Sequence, residues 1–170
     1  MTYKHIEDVI ITNVEFSNDK KFRYKLEIQL KNKNNGETLC VIMQNPSYAD
    51  KNIADKSVNF LEKLIFKREY EVFSKINKII IVNQFAYIQT NDFRGSFEQI
   101  GEKNNKIIEK CIEESDIILI AWGKSNSFKN RIDFINKILQ KEQNCNKKCY
   151  ITKKHPSRGF YNNFIEEYNV

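Results

Sequence analysis

Short apolar runs alternate along this chain with longer segments whose apolar positions recur at helical spacing. Residues 7–16 alternate loosely, with Val9, Ile11 and Val14 apolar. Asn18, Asp19 and Lys20 form a turn signal. Residues 22–30 then alternate cleanly, with Phe22, Tyr24, Leu26, Ile28 and Leu30 on one face and Arg23, Lys25, Glu27 and Gln29 on the other. That pattern predicts a half-buried strand, and the two runs together fit an antiparallel hairpin. Four further strands are predicted at 38–43, 78–82, 116–121 and 148–152. Between them, Val58, Leu61, Leu64, Ile65 and Phe73 predict one helix over 56–73, with Asp55 as its N-cap. Ile107, Ile108, Cys111 and Ile112 predict a second helix from about 102 to 114. Ile132, Ile135, Ile138 and Leu139 predict a third, ending near 140 and capped by Ser125 or Ser127. After His155 the reading is a short polar tail carrying Phe160, Tyr161, Phe164 and Tyr168.

Buried strands alternating with amphipathic helices predict an α/β fold. The expected form is a three-layer α/β/α sandwich on a central four-stranded parallel sheet, with an N-terminal β-hairpin, in a single domain over 1–170. Such sheets bind ligands beyond the carboxyl ends of their strands. The four expected strands run into Gln44-Asn45-Pro46-Ser47, Asn83, Trp122-Gly123 and Lys154-His155-Pro156-Ser157. The chain has two prolines, and both sit in these groups. Proline fixes its own φ and restricts the residue before it, so Asn45 and His155 are each expected to be held extended at a strand mouth.

Those groups suggest chemistry. A carboxamide such as Asn83 presents an acceptor beside donors, matching the adjacent acceptor and N–H of a pyrimidine pairing edge; an Asn at a strand end also closes turns. His155 is suited to donate to an oxygen on which charge develops, as a departing base requires, and a purely structural histidine is the plainer reading. Asn45 can position water but cannot serve as a general base at neutral pH. Ser47 and Ser157 offer donors for phosphates. Tyr48, Phe60 and Phe85 are candidates to stack on a base, with the core as the default reading for Phe60 and Phe85. Trp122 reads as a packing residue and Gly123 as the residue that lets the backbone turn. His5 receives no role.

Composition adjusts this picture modestly. The formal net charge is +6, with 28 basic and 22 acidic residues. A basic face suits nucleic acid or an acidic protein that mimics it, although many lysines alternate with asparagine as a solvated surface would. Of the four cysteines, Cys40 and Cys111 fall in apolar patterns, while Cys145 and Cys149 lack partners that would complete a metal site. No metal and no cofactor is expected. No apolar run approaches a membrane span and residues 1–5 do not read as a signal peptide, so the expected compartment is the cytoplasm.

Four segments resemble motifs of the uracil-DNA glycosylase superfamily. Met43-Gln44-Asn45-Pro46-Ser47-Tyr48 stands where its first motif does, Ile80-Ile81-Val82-Asn83 resembles the strand whose Asn reads the base, Ile120-Ala121-Trp122-Gly123 resembles its Trp-Gly strand, and His155-Pro156-Ser157 resembles its His-Pro-Ser motif. The chain is also similar to an uncharacterised bacterial family of unknown function. The carriers there are Asn45-Pro46-Ser47-Tyr48-Ala49-Asp50, Asn83-Gln84-Phe85-Ala86, Gly101-Glu102-Lys103-Asn104 and Ala121-Trp122-Gly123. The first resemblance implies recognition of uracil or a related base in DNA, with N-glycosidic hydrolysis by Asn45 and His155 if the protein is an enzyme. It implies base or DNA contacts from Gln44, Pro46, Ser47, Tyr48, Phe60, Asn83, Phe85, Pro156, Ser157 and Arg158. Departures from the pattern are Met43 for a glycine, Asn45 for the water-activating acid, and Arg158-Gly159-Phe160 where a leucine wedge often stands. They favour an alternative: a binding module without turnover, for DNA or an acidic DNA-mimicking inhibitor protein. A third reading is an enzyme on free nucleotides or modified nucleosides.

Overall fold

The computed structural model describes residues 3–33, 35–68, 70–89 and 91–170. Strand β3 (Glu37–Met43) is apolar on both sides, so it needs cover on both faces of its sheet. Leu39, Val41 and Met43 enter one core and Cys40 and Ile42 the other. Strand β4 (Ile76–Asn83) divides the same way, Ile79 and Ile81 against Ile80 and Val82. Helix α1 (Lys56–Phe66) lays Val58, Phe60, Leu61, Leu64 and Ile65 on the first core. Helices α2 (Asn104–Glu113) and α3 (Lys129–Leu139) bring Ile108, Cys111, Ile112, Ile135, Ile138 and Leu139 to the second. Asp55 caps α1, its Oδ1 accepting from Val58 N at 2.9 Å.

The remaining strands are β1 (Val9–Phe16), β2 (Arg23–Leu30), β5 (Ile117–Ile120), β6 (Lys148–Thr152) and β7 (Ile165–Glu167). All seven form one sheet in the order β1-β2-β4-β3-β5-β6-β7. The β4–β3, β3–β5 and β5–β6 pairs are parallel, and β1–β2, β2–β4 and β6–β7 are antiparallel.

The expected fold class is therefore corrected. In place of a sandwich on a central four-stranded parallel sheet with an appended hairpin, the chain builds a seven-stranded mixed sheet with antiparallel strands at both ends. The hairpin is no appendage, because β2 pairs directly with β4 from Leu26↔Ile81 to Gln29↔Lys78. Alternation along 22–30 reveals a strand but not its neighbour. In the tail, β7 pairs with β6, and its three residues are too few to carry a period-two signal. Residues 56–73 are not one helix either: α1 stops at Phe66 and a separate 3₁₀ turn spans Glu71–Phe73. Neither Ser125 nor Ser127 caps α3; Phe128 holds that position without a capping side chain. Among the described residues, no helix is long and apolar enough to cross a membrane.

Candidate functional site

Because β4, β3, β5 and β6 run parallel, their carboxyl ends share one edge of the sheet. Hydrogen bonds continue beyond the ladder there. Gln84 N donates to Met43 O at 2.8 Å, Phe85 N to Gln44 O at 3.0 Å, and Ala121 N to Ile42 O at 2.8 Å. Carboxamides and a guanidinium tie the ends together. Asn104 Nδ2 donates to the carbonyls of Asn83 and Gln84 at 3.0 and 3.2 Å. Arg131 Nε donates to Gln84 O at 2.8 Å, and Asn126 Nδ2 to Gln84 Oε1 at 3.0 Å and Gln44 Oε1 at 3.4 Å. The ends of β5 and β6 approach closely at Gly123. Its φ is +78°, and a Cβ there would lie 2.7 Å from His155 N, so the turn requires glycine.

Among the described residues, nine buried side-chain polar atoms have no protein partner. All but Asn144 Oδ1 belong to this edge: Arg23 Nε and Nη2, both polar atoms of Asn83, Gln84 Nε2, Asn104 Oδ1, Arg131 Nη2 and Thr152 Oγ1. An unmatched buried polar group costs about 1–3 kcal/mol, and native proteins tolerate few of them. Eight of the nine thus gather at one edge, which makes it the candidate site. Asn83 is the extreme case, sealed from solvent with donor and acceptor both unmatched.

A family model described as "Protein of unknown function (DUF1643)" matches residues 23–157. The chain belongs to this family. No curated protein and no solved structure matches it. The family match starts at Arg23 and ends at Ser157, so it encloses every orphaned group of the edge. It leaves out β1 and β7, the two outermost strands of the sheet.

Arg23 is the functional candidate that the sequence pattern hid. Regular alternation puts it on the polar face, yet it is fully buried. A bulge is the cause. The β1–β2 register passes from Glu15↔Lys25 to Phe16↔Arg23, two residues on β2 for one on β1. The extra residue reverses the alternation. Tyr24 reaches Gly101, and the Arg23 guanidinium turns to the other face, where Nη1 donates to Ala49 O at 2.6 Å. Burial draws its pKa down to about 10, against the opposing pull of Asp55 and Asp50, so it stays cationic at neutral pH. The guanidinium thus holds the loop that follows Pro46. No lone residue in the sequence signals this; the cue would have been an arginine opening a strand before a bulge.

The expected residues are placed as follows. Asn45 is half-buried and engaged: its Nδ2 donates to Gln89 O at 2.5 Å and its Oδ1 accepts from Gln44 Nε2 at 3.3 Å. Pro46 is buried, and its carbonyl accepts from Gln89 N. Ser47 Oγ donates to Asp55 Oδ2 at 2.6 Å, beside the cap of α1. Tyr48 is 68 % exposed. Phe60 is buried, stacked on Tyr161 with ring centres 4.9 Å apart and lying beneath Gly159, so it supports the loop after His155. Phe85 is buried on the opposite face of the sheet, edge-on to Phe93 and Phe128. Pro156, Ser157 and Arg158 form a 3₁₀ turn, with Pro156 buried and Arg158 exposed. Trp122 is buried in the second core.

His155 Nδ1 accepts from Ser157 N at 3.2 Å and lies 2.9 Å from Ser157 Oγ. A neutral ring so held carries its proton on Nε2 and donates from there. Burial lowers the pKa of His155, opposed by Asp55 and reinforced by Arg158, which favours that neutral donor. His5, without a role in the sequence reading, bonds Glu62 Oε1 at 2.5 Å and Asp50 O at 3.0 Å. It pins the N-terminal segment to α1 and to the loop that Arg23 holds. Among the described residues, no three His, Cys, Asp or Glu side chains gather into a group that could hold a metal ion.

Proposed function

We propose that the chain recognises a uracil-like pyrimidine in DNA, with Asn83 reading the pairing edge and His155 donating to a base oxygen. The observation that carries this reading is the Asn83 carboxamide, buried with Nδ2 and Oδ1 both unpartnered at the carboxyl end of β4. A pyrimidine pairing edge matches both atoms at once, and a buried polar pair left unmatched by the wrong base gives strong discrimination. The four segments that resemble uracil-DNA glycosylase motifs support the same reading. Asn83 is sealed from solvent, so binding requires the loops of this edge to part. Tyr48, exposed on one of those loops, then stacks against the base or its neighbour. Exposed Lys154 and Arg158, beside His155, supply phosphate contacts.

If the N-glycosidic bond is cut, leaving-group stabilisation by His155 is the main contribution. Asp55 already accepts from Val58 N and Ser47 Oγ, and Asp50 from Asn52 N and Ile53 N. Asn45, engaged at both ends, brings no base. These bonds favour a second reading, binding without rapid turnover, in which a basic face receives DNA or an acidic protein that mimics it. Single-stranded oligonucleotides carrying one uracil, thymine or cytosine, titrated at low salt and assayed for base release, test both. Uracil preference lost in Asn83→Leu supports recognition. Base release that falls in His155→Gln supports catalysis, and preference without release supports the binding module. Equal affinity for all three strands removes the proposal.

A further inference from the structure

A concavity lies on the α3 side of the same edge. It encloses about 570 Å³ and is lined by Phe85, Phe97, Phe128, Lys129 and Arg131 among others. Cavities of roughly 300–1,000 Å³ suit small organic ligands. Two observations define its chemistry. The first is a charge anomaly at the start of α3. A helix N-terminus favours acidic side chains, but the first turn of α3 has none and instead carries Lys129 and Arg131. Its N-cap Phe128 supplies no capping oxygen. Arg131 is only 6 % exposed, its Nε is spent on Gln84 O, its guanidinium lies 4.7 Å over the Phe134 ring, and its Nη2 has no hydrogen-bond partner. Neither cation forms an ion pair among the described residues. Lys129 N and Arg131 N already donate to Ser127 O and Phe128 O, so it is the two cations that call for an anion.

The second observation is aromatic. Phe85, Phe93 and Phe128 pack edge to face with centres 4.9 to 5.8 Å apart, and Phe85 and Phe128 of this cluster line the cavity. Gly95, at φ +69°, presses its backbone on the Phe128 ring, where a Cβ would come within 2.1 Å. That turn leads to Phe97, which is 83 % exposed at the rim with no ring partner among the described residues. A large exposed aromatic beside an anion-seeking helix end fits a ligand that has both a flat ring and a negative group.

We infer that this cavity is a separate site for a nucleoside monophosphate, its phosphate at the start of α3 with Lys129 and Arg131 and its base against Phe97. The same chemistry is presented by a free nucleotide and by the 5′-phosphorylated end of a strand. Calorimetric titration at low salt with adenosine monophosphate, adenosine, inorganic phosphate, and a tetranucleotide with and without a 5′-phosphate tests it. Saturable binding of the monophosphate is expected, weakened at least about tenfold when either the phosphate or the base is removed. Loss of a base stack predicts roughly tenfold weaker binding in Phe97→Ala, and Lys129→Glu should weaken it further. Both side chains are exposed, so these variants keep the fold. Tighter binding of the phosphorylated strand than of the free nucleotide assigns the strand end as the source; the reverse assigns the free nucleotide. No saturable binding at millimolar monophosphate, or affinity indifferent to both substitutions, overturns the inference.

Discussion

Replacing Asn83 by leucine should make the free protein more stable. The two side chains share the same branched outline, so the substitution swaps Oδ1 and Nδ2 for two methyl groups. In the native chain both polar atoms are buried and unpartnered. Each such atom costs about 1–3 kcal/mol, and removing both relieves at least about 2 kcal/mol. The slightly larger methyl groups return part of that through crowding against Met43 and other core neighbours, a term of roughly 1 kcal/mol at its low end. A net gain of about 1–2 kcal/mol corresponds to a Tm rise of roughly 2–8 °C for a domain of this size. Urea unfolding and differential scanning calorimetry measure it. Asn83→Asp is the opposing control, since an unpaired buried carboxylate is strongly unfavourable near neutral pH and regains stability as acid protonates it. If Asn83→Leu instead lowers Tm, the carboxamide is satisfied in solution, and the reasoning that assigns it to a ligand fails at its first step.

The two histidines should give stability profiles of opposite sign. His5 lies above its ordinary value of 6.5 because the hydrogen bond and charge of Glu62, with the Asp50 carbonyl, outweigh burial, which alone would lower it. Its stabilisation is complete below pH 6.5 and is lost as pH rises through the folded pKa, so the deficit of His5→Gln narrows toward alkaline pH. His155 is lowered by burial, so the native chain loses stability as pH falls below 6.5, and His155→Gln should flatten that limb in urea titrations. Gly123→Ala should cost at least about 1–2 kcal/mol for its left-handed backbone alone, a Tm fall of roughly 2–8 °C in a scan. If Lys154 and Arg158 meet phosphates, changing either to alanine reduces the slope of log affinity against log salt by about 1 without altering base preference.

The sequence carried the interior strands plainly, because residues buried on both faces leave runs such as Ile79–Val82 and Ile117–Ile120 that solvent exposure would not permit. It also carried the cap of α1, since Asp55 acts through its own backbone neighbourhood. What it could not carry was pairing. Whether β2 lies beside β4 depends on contacts between residues 49 to 55 positions apart, and nothing in the alternation of 22–30 encodes them. The same limit hid β7, whose strand character comes from β6 alone.

The site divides along the same line. Asn45, Asn83 and His155 could be picked out because each closes a strand at a place where local rules expect turn chemistry. Arg23 could not, since its burial follows from one extra residue between two strands that reverses the inward and outward faces. Arg131 escaped, and Asn104 was visible only as part of a motif without a role, for a related reason: each lies on a helix and acts on the edge only after α2 and α3 dock. Both converge on Gln84 O, and Gln84 follows Asn83 in the chain. One backbone carbonyl therefore ties α2 and α3 to the end of β4, a link that exists only once both helices have docked and that no local pattern in the sequence could announce.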